Sequence, residues 1–550
     1  MGLTTTIEAP TQVTEVINVS FQNKDSCPIS RQGDGGLGPE PPEPAARLFT
    51  IEPVSSMDSH PRLVITTLLV ILNMIQFLYN FITIVGGLTL SVDLGRETGV
   101  GQANWMAASY SLTQGAFVLI TGRLGSIYGH QNMVLAGCAL FSVFVLANAF
   151  CRDYISFVAI RALAGVGGGM FMPNAVAIMT TVIPPGRSRN LALGFFSAAP
   201  PIGGVIGALL AGLFIEIVGW KWLFILIAGC SVVVTAVLAW VFPREQPIDR
   251  NGRIDYVGAC LGLFGLLLFN VVWNQAPSVG WDTPYEIACL ILSVLLFAAF
   301  IIWEKSFAKD PIMPVQVFRA PTFTALIFVV LLTYMGFSIT LWYSVSWQQI
   351  LRDISILQTG IHFIPFGGGA IIAVALAAWL ISRVAAQWIL AIGIGTVIVS
   401  NLLLATMPIQ QTYWAGIFPA VLLSSFCPDL AYVAAQLIAS NSVGRRHQGV
   451  AGSLIGVLNL YGNSLGLGFA GTIESQVSNG HETGDIVLGY RAALYFGMAL
   501  GVVALILNFA FVRMPKDQRQ GWDESLEADI PESTSATASA VDRRIIPTLG

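Results

Sequence analysis

Charged residues are scarce in this sequence. Asp, Glu, Lys and Arg make up 11% of its 550 residues, whereas 55% are hydrophobic. A soluble chain of ordinary composition carries roughly 25% charged residues. The composition therefore excludes a soluble enzyme and indicates a membrane protein. The net charge of −4 gives no sign of nucleic-acid binding.

Several functional signatures are also missing. The sequence has no Gly-x-x-x-x-Gly-Lys-Ser/Thr motif, which excludes an ATP-driven pump of the P-loop type. Its seven cysteines are scattered, without the spacing of a disulfide framework or a metal site. We therefore expect no metal and no cofactor. No basic-then-apolar signal peptide opens the chain, so we expect the first membrane helix to direct insertion.

Long apolar runs, by contrast, are abundant. Each of fourteen segments has about 18 residues or more, enough to cross a bilayer as a helix. Helices also satisfy every backbone polar group there. The segments span approximately residues 64–89, 104–122, 132–151, 154–183, 191–214, 221–242, 256–275, 286–303, 322–347, 357–382, 387–407, 413–440, 450–474 and 488–512. The predicted fold is an all-α polytopic membrane protein with fourteen transmembrane helices.

The distribution of basic residues predicts the orientation. If the N-terminus is cytoplasmic, 21 of the 27 Lys and Arg residues fall on the cytoplasmic side, four fall outside, and Arg161 and Arg491 lie within helices. The positive-inside rule then places both termini in the cytoplasm. Residues 1–62 and 513–550 contain too few large apolar residues for a core and are predicted to be disordered cytoplasmic tails.

The chain contains a possible internal repeat. Pro173-Asn174 in the fourth segment is followed by Gly186-Arg187-Ser188-Arg189, and Pro428-Asp429 in the twelfth by Gly444-Arg445-Arg446-His447. Duplicated bundles with a substrate site between them are a transporter architecture. Chance similarity between two proline-containing helices is the alternative.

Four motifs in order resemble those of the major facilitator superfamily, over about residues 60–512. They are Gly122-Arg123-Leu124-Gly125-Ser126-Ile127-Tyr128-Gly129-His130, Arg161-x-x-x-Gly165-x-Gly167, Ala199-Pro200-Pro201-Ile202-Gly203-Gly204, and Trp105 and Tyr110 with Trp220-Lys221-Trp222-Leu223-Phe224. The last set resembles the fourteen-helix drug:proton antiporter branch, especially its fungal members.

This resemblance implies a domain division. It predicts an N-terminal six-helix bundle at 63–242, an extra helix pair with its loops at 243–321, and a C-terminal six-helix bundle at 322–512. It also implies proton-coupled efflux, with the proton gradient as the energy source.

The sequence departs from the family pattern at four positions. Ser126 stands where the loop motif usually has an aspartate, and His130 where it has a basic residue. Phe81, beside Asn80, replaces the aspartate before Thr-Ile-Val in the first helix, and Ala164 replaces a glutamine in the fourth. These changes put the usual charge-relay gating in doubt but do not affect the predicted fold.

Small residues and prolines dominate the candidate gating motifs. The loop glycines allow a tight turn beside Arg123, which predicts either a latch between the two halves or a plain turn. The prolines and glycines of the fifth helix predict either a seal against proton leak or ordinary close packing. The candidate gating residues are Gly122, Arg123, Gly125, Gly129, Gly165, Pro200, Gly203 and Gly204.

Three ionisable side chains lie deep in the predicted membrane segments. Asp429 is the first candidate for the proton site, and its alternative is a structural carboxylate near Pro428. His362 is the second candidate, although a structural role is favoured because it lies near an outer helix end. Arg161 is the candidate electrostatic partner or substrate-binding group, since buried charges in a membrane mark functional sites.

Aromatic and amide side chains are the candidates for the substrate cavity. They are Gln114, Asn174, Tyr334, Trp342, Tyr343, Phe363, Asn459 and Asn463. Asn459 and Asn463 are four residues apart and share a helix face. Such a lining suits a largely apolar or aromatic solute with a few polar groups.

The sequence therefore predicts a secondary active transporter, with proton-coupled efflux of a small organic compound as the leading function. A secondary metabolite, toxin or drug is the expected cargo. Transport of a small inorganic solute such as ammonium or borate, and a transporter-like sensor that moves no solute, are the alternatives. We expect a monomer in the plasma membrane, with the vacuolar membrane as the other candidate, and protons, a small molecule and lipid as its partners.

Overall fold

The computed structural model describes residues 59–96, 100–183, 187–242, 252–308, 311–313, 318, 321–381, 383–443, 448–478 and 483–514. All regular secondary structure in these ranges is helical. The two predicted tails lie outside the described residues, except for their innermost few positions. The fold class predicted from the apolar runs is confirmed.

Fourteen helices in the described ranges are long enough to cross a bilayer, and we number them in chain order. They are α1 (Ser59–Val85), α2 (Val100–Tyr128), α3 (His130–Asn148), α4 (Tyr154–Val182), α5 (Arg187–Leu213), α6 (Trp220–Val241), α7 (Tyr256–Val279), α8 (Pro284–Ser306), α9 (Pro321–Ser346), α10 (Ile356–His362 with Ile364–Ile381), α11 (Ala386–Thr406), α12 (Ile417–Ser424 with Phe426–Ser442), α13 (Gln448–Val477) and α14 (Thr483–Phe511).

Thirteen of these helices are also apolar enough to span a membrane. The exception is α2, which has 29 residues but a more polar sequence. Its flanks pack against α4, α13 and α7, and its side chains from Ala103 to Ala116 are almost all buried. Because protein rather than lipid surrounds this helix, it needs less hydrophobic surface than its neighbours.

Two helices are interrupted where the sequence predicted single spans. α10 breaks at Phe363 and α12 breaks at Ser425. Pro365 and Pro428 stand in the first turn of the second piece of each helix, where a missing N–H costs least. Boundaries also differ at the first segment, since α1 ends at Val85 and a separate short helix, Gly87–Asp93, follows.

Short irregular turns extend the ends of other helices. Phe214–Val218 and Trp347–Leu351 form π-helical turns after α5 and α9. Tyr413–Ala415 forms a 3₁₀ turn before α12. Both π-helical turns lie on the side of the molecule opposite the loop between α2 and α3.

The helices pack in two groups of six. α1 to α6 contact one another, as do α9 to α14. The groups meet where α2 packs on α13 and α5 packs on α10. These pairs join the second helix of each group to the fifth of the other, which is the arrangement that a duplicated bundle would produce. α7 packs along both α2 and α13, with α8 against its outer side.

Close packing of α5 on α1 depends on glycine. A Cβ at Gly203 would collide with the carbonyl oxygen of Met74, a backbone atom that cannot move away cheaply. Gly194, on the same helix, would meet nothing within 4 Å. Gly203→Ala should therefore lower stability by about 1–3 kcal/mol, as overpacking does.

The matched control is Gly194→Ala, which should leave stability unchanged or raise it by a few tenths of a kcal/mol, as removal of backbone entropy from the unfolded chain predicts. Thermal unfolding of the two variants in detergent measures the difference. Equal melting temperatures would show that α1 and α5 do not approach as closely as the structure has them.

Candidate functional site

A cavity of about 1570 Å³ lies between the two groups of helices. Its walls come from α1, α2, α4 and α5 on one side and from α9, α10, α12 and α13 on the other. The mouth is lined by Arg123 of the loop motif and by Arg253, Asp255, Glu304 and Lys305 near the extra helix pair. The cavity thus opens toward the side of the loop between α2 and α3.

The opposite side is closed by contacts between the groups. Glu216, in the π-helical turn after α5, accepts a hydrogen bond from the Leu357 N–H at the start of α10 at 3.0 Å. Gln349 Nε2 donates to the Val85 carbonyl at 2.7 Å. Gly360 lies directly on the backbone of Ala208. Within the described ranges, the cavity is therefore closed on this side and open on the side of the loop between α2 and α3 in this conformation.

Aromatic side chains from both groups form the deep wall of the cavity. The ring of Phe81 on α1 lies 5.7 Å from that of Phe366 on α10. The ring centroids of Phe366 and Phe337 are 6.3 Å apart, and those of Phe337 and Tyr334 are also 6.3 Å apart. A Cβ at Gly204 would stand 2.9 Å from the Phe81 ring, so this glycine makes room for it. The wall joins the two halves through ring contacts.

Asp429 lies on this cavity, near the middle of α12. Its side chain is 5% exposed, and its Oδ2 has no hydrogen-bond partner among the described residues. The adjacent Pro428 carbonyl accepts a hydrogen bond from the Tyr334 hydroxyl at 3.1 Å. A buried, unpaired carboxylate oxygen is costly unless a proton or another ligand satisfies it.

Arg161 lies within the first group of helices and does not line the cavity. It is fully buried. Its Nε donates to the Met106 carbonyl at 2.8 Å and its Nη2 to Asn80 Oδ1 at 2.9 Å. The guanidinium also lies over the ring of Tyr79, 4.6 Å from the centroid. Arg161, the predicted electrostatic partner or substrate-binding group, therefore joins α4 to α1 and α2 in this structure.

His362 lies at the closed side, at the break in α10. Its Nδ1 is 2.5 Å from Gln348 Oε1, and its ring stacks on Tyr413 at 4.0 Å. It does not line the cavity. The structure thus separates the three ionisable candidates, with Asp429 on the cavity, Arg161 within one group of helices and His362 on the closed side.

The predicted cavity residues divide into two sets. Tyr334, Asn459 and Asn463 line the cavity. The others are buried outside its wall, because the faces of their helices turn toward neighbouring helices. For example, Tyr343 donates to Glu474 Oε2 at 2.6 Å within the second group. The set outside the wall is Gln114, Asn174, Trp342, Tyr343 and Phe363.

Two glycines of the loop motif are required by the structure, Gly125 by close contact with neighbouring side chains and Gly129 by its left-handed backbone conformation. Gly125 lies against Asn174 and His130, which are 2.7 Å apart at Oδ1 and Nδ1, so no larger residue fits there. Gly129 has φ of +96°, which favours glycine. Ser126, in place of the family's aspartate, donates to the Arg123 carbonyl within its own helix.

Of the other gating candidates, some lie at close contacts between helices and the rest line the cavity. Gly165 meets Tyr110 and Thr113 of α2 directly, and Gly203 meets α1. Gly122 and Pro200 line the cavity. α5 remains one helix through Pro200 and Pro201.

Sequence reasoning missed Phe81, Phe337 and Phe366 as cavity residues. Apolar side chains in a membrane helix are the commonest kind, so nothing in their type distinguishes a cavity wall from a lipid face. Only Phe81 carried a signal, since it replaces the family's aspartate in the first helix.

Comparison with known proteins agrees with this architecture. A family model described as Major Facilitator Superfamily matches residues 68–467 and, in a second match, 326–546. The low affinity ammonium transporter of Saccharomyces cerevisiae is 32% identical over 420 residues, covering 74% of this chain and 81% of the relative. Efflux pump terJ of Aspergillus terreus is 31% identical over 434 residues, covering 76% and 82%.

A solved structure shares the fold. The crystal structure of a bacterial homologue of the human lysosomal transporter Spinster, in an inward-facing and unoccupied conformation, aligns with a TM-score of 0.57 at 15% identity, over 85% of this chain and 100% of that one. The family consists of transporters, not enzymes. Its members are embedded in a bilayer and move small molecules across it. This chain belongs to the major facilitator superfamily.

Proposed function

We propose that this transporter exports small organic compounds in exchange for protons, with the cavity as the shared site. The observation that carries the proposal is Asp429, a buried carboxylate whose Oδ2 has no hydrogen-bond partner among the described residues. It lies on the cavity wall together with aromatic and amide side chains. Proton and substrate would compete there, so that binding of one releases the other. The proton gradient is then the energy source, and no cofactor is needed.

The size of the cavity supports an organic cargo. Its volume of about 1570 Å³ exceeds the roughly 300–1,000 Å³ of pockets that hold drug-sized ligands. The efflux pump terJ, among the relatives, supports the same direction of transport. A secondary metabolite or toxin is the cargo that we propose.

Ammonium is the second candidate, favoured by the relative named low affinity ammonium transporter. Its volume is close to that of a water molecule, about 30 Å³, and it would touch little of the aromatic wall. Flux of labelled methylammonium into vesicles containing the purified protein measures this alternative directly.

Vesicle transport tests the main proposal. Purified protein is reconstituted with a fluorescent organic substrate, with and without an imposed pH gradient. Proton-coupled export predicts accumulation only with the gradient, in the direction opposite to proton flow. Binding without any flux would identify a sensor, and equal flux with and without the gradient would identify uncoupled transport.

We also propose that the cavity faces the cytoplasm in this conformation. The basic residues near its mouth lie on the side that the positive-inside rule assigns to the cytoplasm. Both termini are then cytoplasmic. The same proposal places the protein in the plasma membrane as a monomer. It divides the chain into six-helix bundles at 63–242 and 322–512, with the extra helix pair at 243–321 between them.

Reporter fusions test this orientation. Fusions after Phe150, Gly280 and Gln410 should report the outside, and fusions after Arg187 and Arg445 the cytoplasm. The reporters can be alkaline phosphatase and green fluorescent protein, which are active on opposite sides. A reversed result after Gly280 alone would mean that α7 and α8 do not both cross the membrane.

A further inference from the structure

The deep end of the cavity combines an aromatic wall with a pair of amides. Asn463 Nδ2 donates to Asn459 Oδ1 at 3.2 Å. Both side chains line the cavity and are half-buried. They project from α13, which packs closely on α9 here. A Cβ at Gly462 would stand 3.1 Å from the Cβ of Tyr334. The amide pair thus adjoins the row of rings from Tyr334 to Phe81.

The hydrogen bond between the two amides leaves one carbonyl oxygen and one amide nitrogen without a hydrogen-bond partner in the described part of the chain. Asn463 Oδ1 is buried and has no hydrogen-bond partner among the described residues. No hydrogen bond from Asn459 Nδ2 is found among the described residues, and this nitrogen is not enclosed as Asn463 Oδ1 is, so the pair offers one buried acceptor and one accessible donor. Exchanging oxygen and nitrogen in both amides would still leave one of each. The buried Asn463 oxygen without a partner is unfavourable, and a ligand that donates a hydrogen bond to it removes that cost.

We propose that this end of the cavity binds flat, uncharged aromatic compounds that carry a hydrogen-bond donor and an acceptor on neighbouring atoms, such as cyclic amides fused to an aromatic ring. A protonated amine supplies donors but no acceptor, a quaternary cation supplies neither, and a carboxylate supplies acceptors but no donor. The rings of Phe81, Phe337 and Phe366 provide the surface for the flat ring system. The inference rests on the proposed function, because it names the class of that function's substrate.

Phe81 is the specificity-determining residue of the aromatic wall. It belongs to α1 and contacts Phe366 on α10, so a ring held between the halves must pack beside it. The space for its side chain exists because Gly204 lacks a Cβ. An aspartate at this position, as in the family pattern, would place a charge where the structure has an apolar ring.

Binding of matched probes to the purified full-length protein in detergent tests the assignment. 6(5H)-Phenanthridinone is a flat tricyclic cyclic amide with adjacent N–H and C=O groups. Its N-methyl derivative keeps the shape but loses the donor, and N-methylphenanthridinium is a flat cation with neither group. The wild-type protein should bind phenanthridinone about tenfold or more tighter than either analogue, the penalty expected when a polar group in the site is left unpaired.

Two variants should separate the amide contribution from the aromatic one. Asn463→Leu should weaken phenanthridinone binding to the level of its N-methyl derivative, which abolishes the discrimination. Phe81→Leu should weaken both probes about three- to tenfold and leave their ratio unchanged. Asn132→Leu, an exposed amide on α3, is the matched control and should leave both affinities as in the wild type.

The wild-type comparison stands even if a variant fails to fold. Equal binding of phenanthridinone and its N-methyl derivative would overturn the inference, as would tighter binding of the cation. These measurements need no gradient, so they are separate from transport. Discrimination without gradient-driven flux would refute the proposed export alone, and gradient-driven export of other compounds without discrimination would refute this inference alone.

Discussion

Asp429→Asn should abolish uphill export while substrate binding and exchange continue. The asparagine side chain has nearly the same volume and can still hydrogen-bond, but it cannot release a proton. With one proton exchanged per substrate, a gradient of two pH units can sustain about a 100-fold substrate gradient, because each pH unit corresponds to a factor of ten. The variant should sustain none.

The measurement is substrate accumulation in vesicles with an imposed pH gradient, alongside exchange of labelled for unlabelled substrate without one. Asp429→Glu should keep part of the accumulation, with a shifted pH optimum, because it retains the carboxyl group in a displaced position. If the asparagine variant accumulates substrate as the wild type does, Asp429 is a structural carboxylate and the coupling site lies elsewhere.

Arg161→Ala should lose most transport and also lower stability, a stronger effect than removal of a cavity group would have. The alanine leaves a void and removes the donors for the Met106 carbonyl and Asn80 Oδ1 in a fully buried site. Each buried acceptor left without its donor costs about 1–3 kcal/mol, in addition to the cost of the void. Arg161→Lys should recover only part of this, since lysine lacks the planar fork that reaches several acceptors.

Arg491 provides a matched control for this effect. It also lies in a helix, is half-buried, and donates to the Met407 carbonyl at 3.2 Å. Arg491→Ala should lower the melting temperature by much less than Arg161→Ala. Wild-type stability and transport in Arg161→Ala would contradict the role of Arg161 in joining α1, α2 and α4.

The sequence predicted the helices well because length and apolarity alone determine which segments can cross a bilayer. It also predicted α2 as a span although that helix is the most polar, since its apolar run was long enough. The breaks at Phe363 and Ser425 were not predicted. A proline in an apolar segment is compatible with either a continuous helix, as at Pro200, or an interrupted one, as at Pro365, and packing against neighbouring helices decides between them.

The candidate site was only partly predictable for a related reason. Asp429, Asn459 and Asn463 were found because polar groups in a membrane helix are rare. The same criterion selected Arg161 and Gln114, which point between helices of one bundle. Sequence identifies the polar groups that need partners, but the rotation of each helix determines whether the partner is a neighbouring helix or a substrate. The aromatic wall was missed because Phe337 and Phe366 resemble lipid-facing residues.

Proton release on substrate binding tests the shared site most directly. Purified protein in a weakly buffered solution is mixed with a saturating uncharged substrate, and the pH change is recorded against the amount bound. Competition at Asp429 predicts the release of up to one proton per substrate in the wild type, varying with pH, and none in Asp429→Asn although the substrate still binds. Binding without proton release at every pH in the wild type, or the same release in both proteins, would contradict the account.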